Sequence, residues 1–246
     1  GKRVIEALNL KTLEYTVKQK VKFATIGLAK QEDDVKKRLK ILVAGKDKAG
    51  EFYRKSFYST LTYVSHRIPE ISDDLYKIDR SLKAGFGWEL GPFEMWDILG
   101  VEKTISKMKE TGFKVADWVY DMLKSGKTSF YTTENGTLNY YNITSKSKEK
   151  VPGIENFIIL DHIRENKTVW SNSGCNLTDI GDGILNLEWN TKMNSIGGEV
   201  LEGINKSIEI TEQNYKGLVI ANQGANFSVG ANIAMIFMMA IEQEYD

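Results

Sequence analysis

The run Gly85-Phe86-Gly87-Trp88-Glu89-Leu90-Gly91-Pro92 punctuates this chain more sharply than any other stretch. Upstream, Ser72-Asp73-Asp74 offers cap oxygens and negative charge for a helix through Leu75, Ile78 and Leu82. Gly85-Phe86-Gly87-Trp88 breaks that helix, because glycine is a poor helix former and turns easily. Gly91-Pro92 opens another, since proline is tolerated in a first turn where its missing N–H has no internal partner. That second helix carries Phe93, Trp96 and Ile98 and ends at Gly100. Together with the helices on either side, these pieces suffice for a compact helical domain.

The same punctuation extends both ways. Residues 1–48 read as a connecting segment that becomes helical, with Lys11, Lys18, Lys20 and Lys22 on a solvated face. Gln31-Glu32-Asp33-Asp34 leads into Val35, Leu39, Leu42 and Val43 at helical spacing, and Gly45 stops it. Phe52, Phe57, Leu61 and Val64 form an apolar stripe that ends near Ile68-Pro69, where the residue before proline leaves the helical region. Helices over 101–109 and 115–123 complete a helical domain spanning 49–131.

The second half changes character. Residues 132–176 read as a hairpin around Asn135-Gly136 followed by a linker, rich in lysine and serine over 145–153. From 177 onward a strand over 184–189 is followed by a helix with Val200, Leu201, Ile204 and Ile208 on one face. Leu218-Val219-Ile220-Ala221 is a short apolar strand, then come a loop and a helix from about Asn232. Strand, helix, strand, loop and helix argue for α/β or spiral β/α architecture. No further strand precedes Tyr245-Asp246, so 177–246 is expected to be the N-terminal part of such a domain.

Composition narrows the function. Hydrophobic residues at 41% and charged residues at 27% exclude a disordered chain. Lys plus Arg and Asp plus Glu each total 33, so no global field draws the chain to nucleic acid, and an anionic ligand needs a local arrangement. Cys175 is the single cysteine, which fits a reducing compartment. Gly1-Lys2-Arg3-Val4-Ile5-Glu6 lacks a signal-peptide core, and the apolar run 233–241 is too short to cross a bilayer. A cytoplasmic protein without membrane insertion is expected.

One loop could carry chemistry. The strand Lys216-Gly217-Leu218-Val219-Ile220 delivers the chain to Phe227-Ser228-Val229-Gly230-Ala231-Asn232-Ile233, and a helix starts directly afterwards. Free N–H groups at such a helix start can hold a developing oxyanion or an anionic group. Taken alone, the same pattern also suits an ordinary tight turn.

This run resembles the F-S-x-G-A-D-[IL] signature of the enoyl-CoA hydratase/isomerase (crotonase) superfamily, and Lys192-Met193-Asn194-Ser195-Ile196 is similar to that family's N-[AS]-[LI] segment. The resemblance implies that the Ala231 N–H is half of an oxyanion hole for an acyl-CoA thioester. It implies an acyl-CoA surface at Lys192, Met193, Asn194, Phe227, Val229, Gly230, Ala231 and Asn232. Asn232 departs from the usual aspartate, and either residue can cap the following helix.

A second resemblance covers about 49–131. Asp79-Arg80-Ser81-Leu82-Lys83-Ala84-Gly85-Phe86-Gly87-Trp88-Glu89-Leu90-Gly91-Pro92-Phe93-Glu94 resembles the D-x-[AS]-[ML]-x-x-G-x-G-x-x-x-G-P-F-E run of the 3-hydroxyacyl-CoA dehydrogenase C-terminal helical domain. Asp97 to Gly100 and Ser125 to Tyr131 are similar to its later segments. The implied fold is therefore a mainly α, dehydrogenase C-terminal-like domain followed by a partial α/β crotonase-like spiral. Together the two resemble bacterial multifunctional fatty-acid β-oxidation enzymes, of which this chain would be an internal stretch.

What the resemblance implies for the longer protein is oxidation of 3-hydroxyacyl-CoA with NAD and hydration of 2-enoyl-CoA. No G-x-G-x-x-G follows a strand near the start, so no NAD site is expected on this chain. The implied partners are acyl-CoA substrates, the missing Rossmann domain and the remaining crotonase turns. Glu242 and Glu244 lie too early to serve as the hydratase glutamates, so this chain alone is expected to be inactive. Two other readings stand beside this one: a non-catalytic interaction or scaffold module, and a standalone acyl-CoA-binding protein. His66 reads as a helix residue and His162 as a linker residue, both without a role. Trp88, Phe93 and Trp96 read as core aromatics, and no metal site is expected.

Overall fold

Glycine and proline stops in the first half of the sequence become helix boundaries. The computed structural model describes residues 4–18, 20–134, 136–224 and 226–243, in two units, Gly1–Phe130 and Tyr131–Asp246. Gly1, Lys2, Arg3, Asn135, Ala225, Glu244, Tyr245 and Asp246, which entered the expectations above, lie outside the described residues.

The first unit opens with an antiparallel pair, β1 (Glu6–Leu8) and β2 (Tyr15–Val17), fully exposed where a plain connecting segment was expected. Helices α1 (Ala24–Ala29), α2 (Val35–Ala44), α3 (Lys48–His66), α4 (Leu75–Phe86), α5 (Pro92–Leu99), α6 (Val101–Glu110) and α7 (Asp117–Lys124) follow. Asp47, the N-cap of α3, ties that helix to α1 by accepting from Gly50 N (3.0 Å) and Thr25 N (2.9 Å). The Gly50 hydrogen bond, with those from Thr25, holds its carboxyl below the ordinary value. Leu61, Val64, Phe93, Trp96, Val119, Met122 and Phe130 close the core. Two expected core aromatics sit elsewhere: Phe52 is 67% exposed and Trp88 39%. On α3 the inward face runs through Tyr58, Leu61 and Val64, leaving Phe52 facing water.

The reversal between α4 and α5 is built around one carboxylate. Asp79 is buried and accepts from Phe93 N (2.9 Å) and Glu94 N (3.1 Å), free donors in the first turn of α5. The N-cap of α5 is Gly91, which has no side chain to do this, so α4 supplies the cap from a distance. A Cβ on Gly91 would overlap the Asp79 carboxyl, which is why only glycine fits there. Glu94 reaches back to accept from Gly91 N (2.7 Å) and from Lys83 Nζ (2.8 Å). At the far end Asp97 accepts from Phe130 N (2.8 Å), seating Phe130 against Phe93 and Trp96.

In the second unit β3 (Tyr131–Glu134), β4 (Thr137–Asn142) and β5 (Ser147–Lys150) form an antiparallel sheet. The lysine- and serine-rich stretch expected as linker is thus partly a strand. Its turn is held by Asn142, whose Oδ1 accepts from Thr144 N (2.8 Å) and Ser145 N (3.0 Å). Helix α8 (Leu160–Lys167) and β6 (Thr168–Ser171) also fill the expected linker, so His162 lies on a helix rather than a loop. Burial pushes the His162 pKa down, partly opposed by Asp161.

Strands β6, β7 (Cys175–Gly181), β8 (Ile184–Trp189) and β9 (Gly217–Ile220) make a sheet in that order. The first three are antiparallel, whereas β9 runs parallel to β8 after the crossover helix α9 (Gly198–Asn214). Leu177, Leu185, Leu187 and Trp189 pack with Cys175 and Val200, joined by Ile204, Ile210 and Leu218. Leu201 and Ile208, expected on the inner face of α9, are exposed; Gly203, Ser207 and Thr211 take that face. The other sheet face is polar yet buried at Thr178, Asn186 and Glu188, with Arg164 of α8 paired to Glu188 (2.5 and 3.0 Å). Helix α10 (Ile233–Glu242) buries no residue and exposes Ile233, Ile236, Phe237, Met238 and Ile241. Among the described residues no helix is long and apolar enough to cross a membrane.

Two outcomes follow. Asp79→Ala strands two N–H groups and should cost about 2–4 kcal/mol in urea unfolding, whereas Lys150→Gln at an exposed position of β5 should change little. Burial, with Glu199 and Glu202 adding to it, pushes the Cys175 thiol up to about 11. The raised value keeps it protonated at pH 8, so Ellman's reagent should react with it only after denaturant is added.

Candidate functional site

Parallel β8 and β9 end on the same side, and the loops leaving their carboxyl ends meet there. Such carboxyl ends are where open α/β sheets place ligands, since the connecting loops converge without blocking one another. The first loop carries Lys192, Met193 and Asn194 in a single 3₁₀ turn (Lys192–Asn194). Met193 and Asn194 have φ of 54° and 55°, a left-handed region that asparagine tolerates and methionine does not favour. The second loop carries Phe227, Val229, Gly230, Ala231 and Asn232. The two segments singled out in the sequence are therefore neighbours.

Backbone pairing sets their register. Ile196 N donates to Gly230 O (2.9 Å) and Asn232 N donates to Ile196 O (2.8 Å), an isolated parallel bridge between Ile196 and Ala231. In a parallel bridge one residue bonds both neighbours of its opposite number, so the N–H and C=O of Ala231 face away from Ile196. No acceptor meets the Ala231 N–H among the described residues. Gly230 has φ of 96°, which an L side chain rarely adopts, and it turns the chain into this register.

Side chains then fasten the loops. Trp189 N donates to Asn222 Oδ1 (2.7 Å), and Asn222 Nδ2 donates to Phe227 O (2.6 Å). Asn194 Nδ2 donates to Asn226 O (2.8 Å). Ser228 Oγ donates to Asn194 O (2.6 Å) and accepts from Gly230 N (2.9 Å). Asn232 Oδ1 accepts from Met235 N (3.3 Å), so it caps α10 as either asparagine or aspartate could. Met193, Phe227 and Val229 are exposed around these loops, with the Phe227 ring 5.0 Å from that of Trp189. Sequence reading left Asn222 unassigned; its only local signal is an asparagine directly after an apolar strand.

The arrangement offers a backbone donor, apolar surroundings and a nearby helix start. The turn from β8 into α9 has Gly197 and Gly198 but no third spaced glycine. Glu199 stands in the first turn of α9, where a pyrophosphate would need positive surroundings. His66 closes α3 with Nδ1 2.9 Å from Thr62 O and belongs to the other unit. No group of His, Cys, Asp and Glu able to hold a metal occurs among the described residues.

Comparison with known proteins adds a context. No family model matches, and no solved structure matches. A Bacillus subtilis (strain 168) protein named for 3-hydroxyacyl-CoA dehydrogenase is 42% identical over 239 residues, covering 97% of this chain and 30% of its own length. Proteins of Rickettsia prowazekii (strain Madrid E) and Rickettsia felis (strain ATCC VR-1525 / URRWXCal2), named for a fatty acid oxidation complex trifunctional enzyme, are 25% and 23% identical over 236 and 238 residues. Each covers 96% of this chain and 28% of its own length. Homologues with dehydrogenase and fatty-acid-oxidation names thus cover nearly the whole chain, which spans less than a third of their length.

Replacing Gly230 by valine places a branched side chain at positive φ and should cost about 1–2 kcal/mol. Amide exchange at Ile196 and Asn232 should then quicken while the β7–β8 core amides hold.

Proposed function

We propose that this chain is part of a fatty-acid β-oxidation enzyme whose longer form oxidises 3-hydroxyacyl-CoA with NAD and hydrates 2-enoyl-CoA. The names of the relatives support the pathway. The carrying observation for the chemistry is the Ala231 N–H, turned outward at the carboxyl ends of two parallel strands.

On this reading the thioester carbonyl oxygen of an acyl-CoA accepts from Ala231 N. When water adds to C3 of an enoyl thioester, the displaced electron pair moves through C2 onto that oxygen, and C2 then takes a proton. A fixed N–H stabilises the oxyanion more than the neutral carbonyl; one such donor is worth about 3 kcal/mol in comparable sites. Lys192, Met193 and Asn194 border the CoA side, while Phe227 and Val229 give the carbonyl apolar surroundings. The paired glutamates and the second donor come from sequence outside this chain, as does the NAD-binding Rossmann domain. Further crotonase-like turns would pair with the open edge of β9 and cover the apolar surface of α10. The helical first unit supports the dehydrogenase half. By itself the chain turns over nothing.

Titration of ¹⁵N-labelled chain with acetyl-CoA tests this reading. The Ala231 amide resonance should move with acetyl-CoA but not with free CoA, and Gly230→Val should abolish the response. An Ala231 signal indifferent to millimolar thioester overturns the assignment. NAD reduction by this chain with a 3-hydroxyacyl-CoA would overturn its inactivity.

A further inference from the structure

We infer that Ser228 is the positioning residue that locks the two loops together and so fixes the direction of the Ala231 N–H, with Asn194 and Asn222 as its supports. The inference concerns the site proposed above, but its structural core stands without the thioester. A serine hydroxyl has one proton to donate and two lone pairs to accept with. Ser228 donates its proton across to the first loop, at Asn194 O, and accepts within its own loop, from Gly230 N. It is thus the one side chain among the described residues that touches both the left-handed turn at Met193–Asn194 and the positive-φ residue before Ala231.

Of the two features it joins, the left-handed turn is strained at Met193, while Gly230 takes its positive φ freely. A left-handed methionine costs on the order of 1–2 kcal/mol and persists only when its surroundings over-determine it. Asn194 adds to the restraint from the other side by donating to Asn226 O, and Asn222 bridges Trp189 N to Phe227 O. Removing the Ser228 hydroxyl releases Asn194 O and Gly230 N together. Gly230 O is the acceptor for Ile196 N, so a freed Gly230 loosens the bridge that points Ala231 outward.

Amide hydrogen exchange on the labelled chain tests the lock. In Ser228→Ala, exchange at Ile196 and Asn232 should quicken about tenfold, the effect of losing roughly one net hydrogen bond, with Leu177, Leu185 and Leu187 unchanged. Ser228→Thr keeps the hydroxyl and should restore protection, which simple loss of packing would not explain. Unchanged protection in Ser228→Ala overturns the lock. Should that variant fail to fold, Asn194→Ala weakens the same junction and should quicken the same two amides; unaltered exchange there overturns the inference equally. Acetyl-CoA keeps the two ideas apart: a silent Ala231 amide in the parent chain with exchange altered in Ser228→Ala sinks the thioester reading and supports the lock.

Discussion

Several helix and strand boundaries of this protein are fixed by side chains that accept from backbone N–H groups, some of them from distant parts of the sequence. Asp79 meets Phe93 N and Glu94 N, Asp97 meets Phe130 N, and Asp47 meets Thr25 N and Gly50 N. Asn222 meets Trp189 N, and Gln223 meets Leu160 N. An orphaned buried donor costs more than most single apolar contacts return, so these acceptors fix where each element may begin. The N–H of Ala231, by contrast, meets no acceptor among the described residues.

The two units solve the same problem with different chemistry. In the helical unit the acceptors are carboxylates, buried or half-buried against helix N-termini, where the helix dipole favours negative charge. At the candidate loops of the sheet-containing unit they are amides and a hydroxyl, which can donate and accept at once. These fastening groups are neutral, and the charge in the first loop is the cation of Lys192. On the function proposed above, neutral fastening groups suit a developing negative charge, which a carboxylate beside Ala231 would repel.

Much of the fold was legible because its punctuation is local. Gly91-Pro92, Gly100 and the apolar strand at Leu218 to Ala221 declare themselves within a few residues, and β8 spans the residues its pattern indicated. What escaped depends on partners far along the chain. Helix α8 and strand β5 hide in polar sequence because Arg164–Glu188 and the Asn142 turn stabilise them, not periodicity. Phe52 and Trp88 misled because hydrophobic spacing cannot say which side of a helix meets its neighbours. At the candidate site the two segments could be picked out singly, while their fastening through Ser228 and Asn222 joins residues with no local pattern between them.

That the donor offered by Ala231 belongs to the main chain has a consequence for how such a site would reveal itself. No exchange of side chains at that position removes the N–H; proline alone would, and it would break the turn as well. An alanine scan passes over the position without registering it. The importance of the atom is displaced onto neighbours that never touch a ligand, so genetic variation would mark the scaffold of the loop and leave its working atom unmarked.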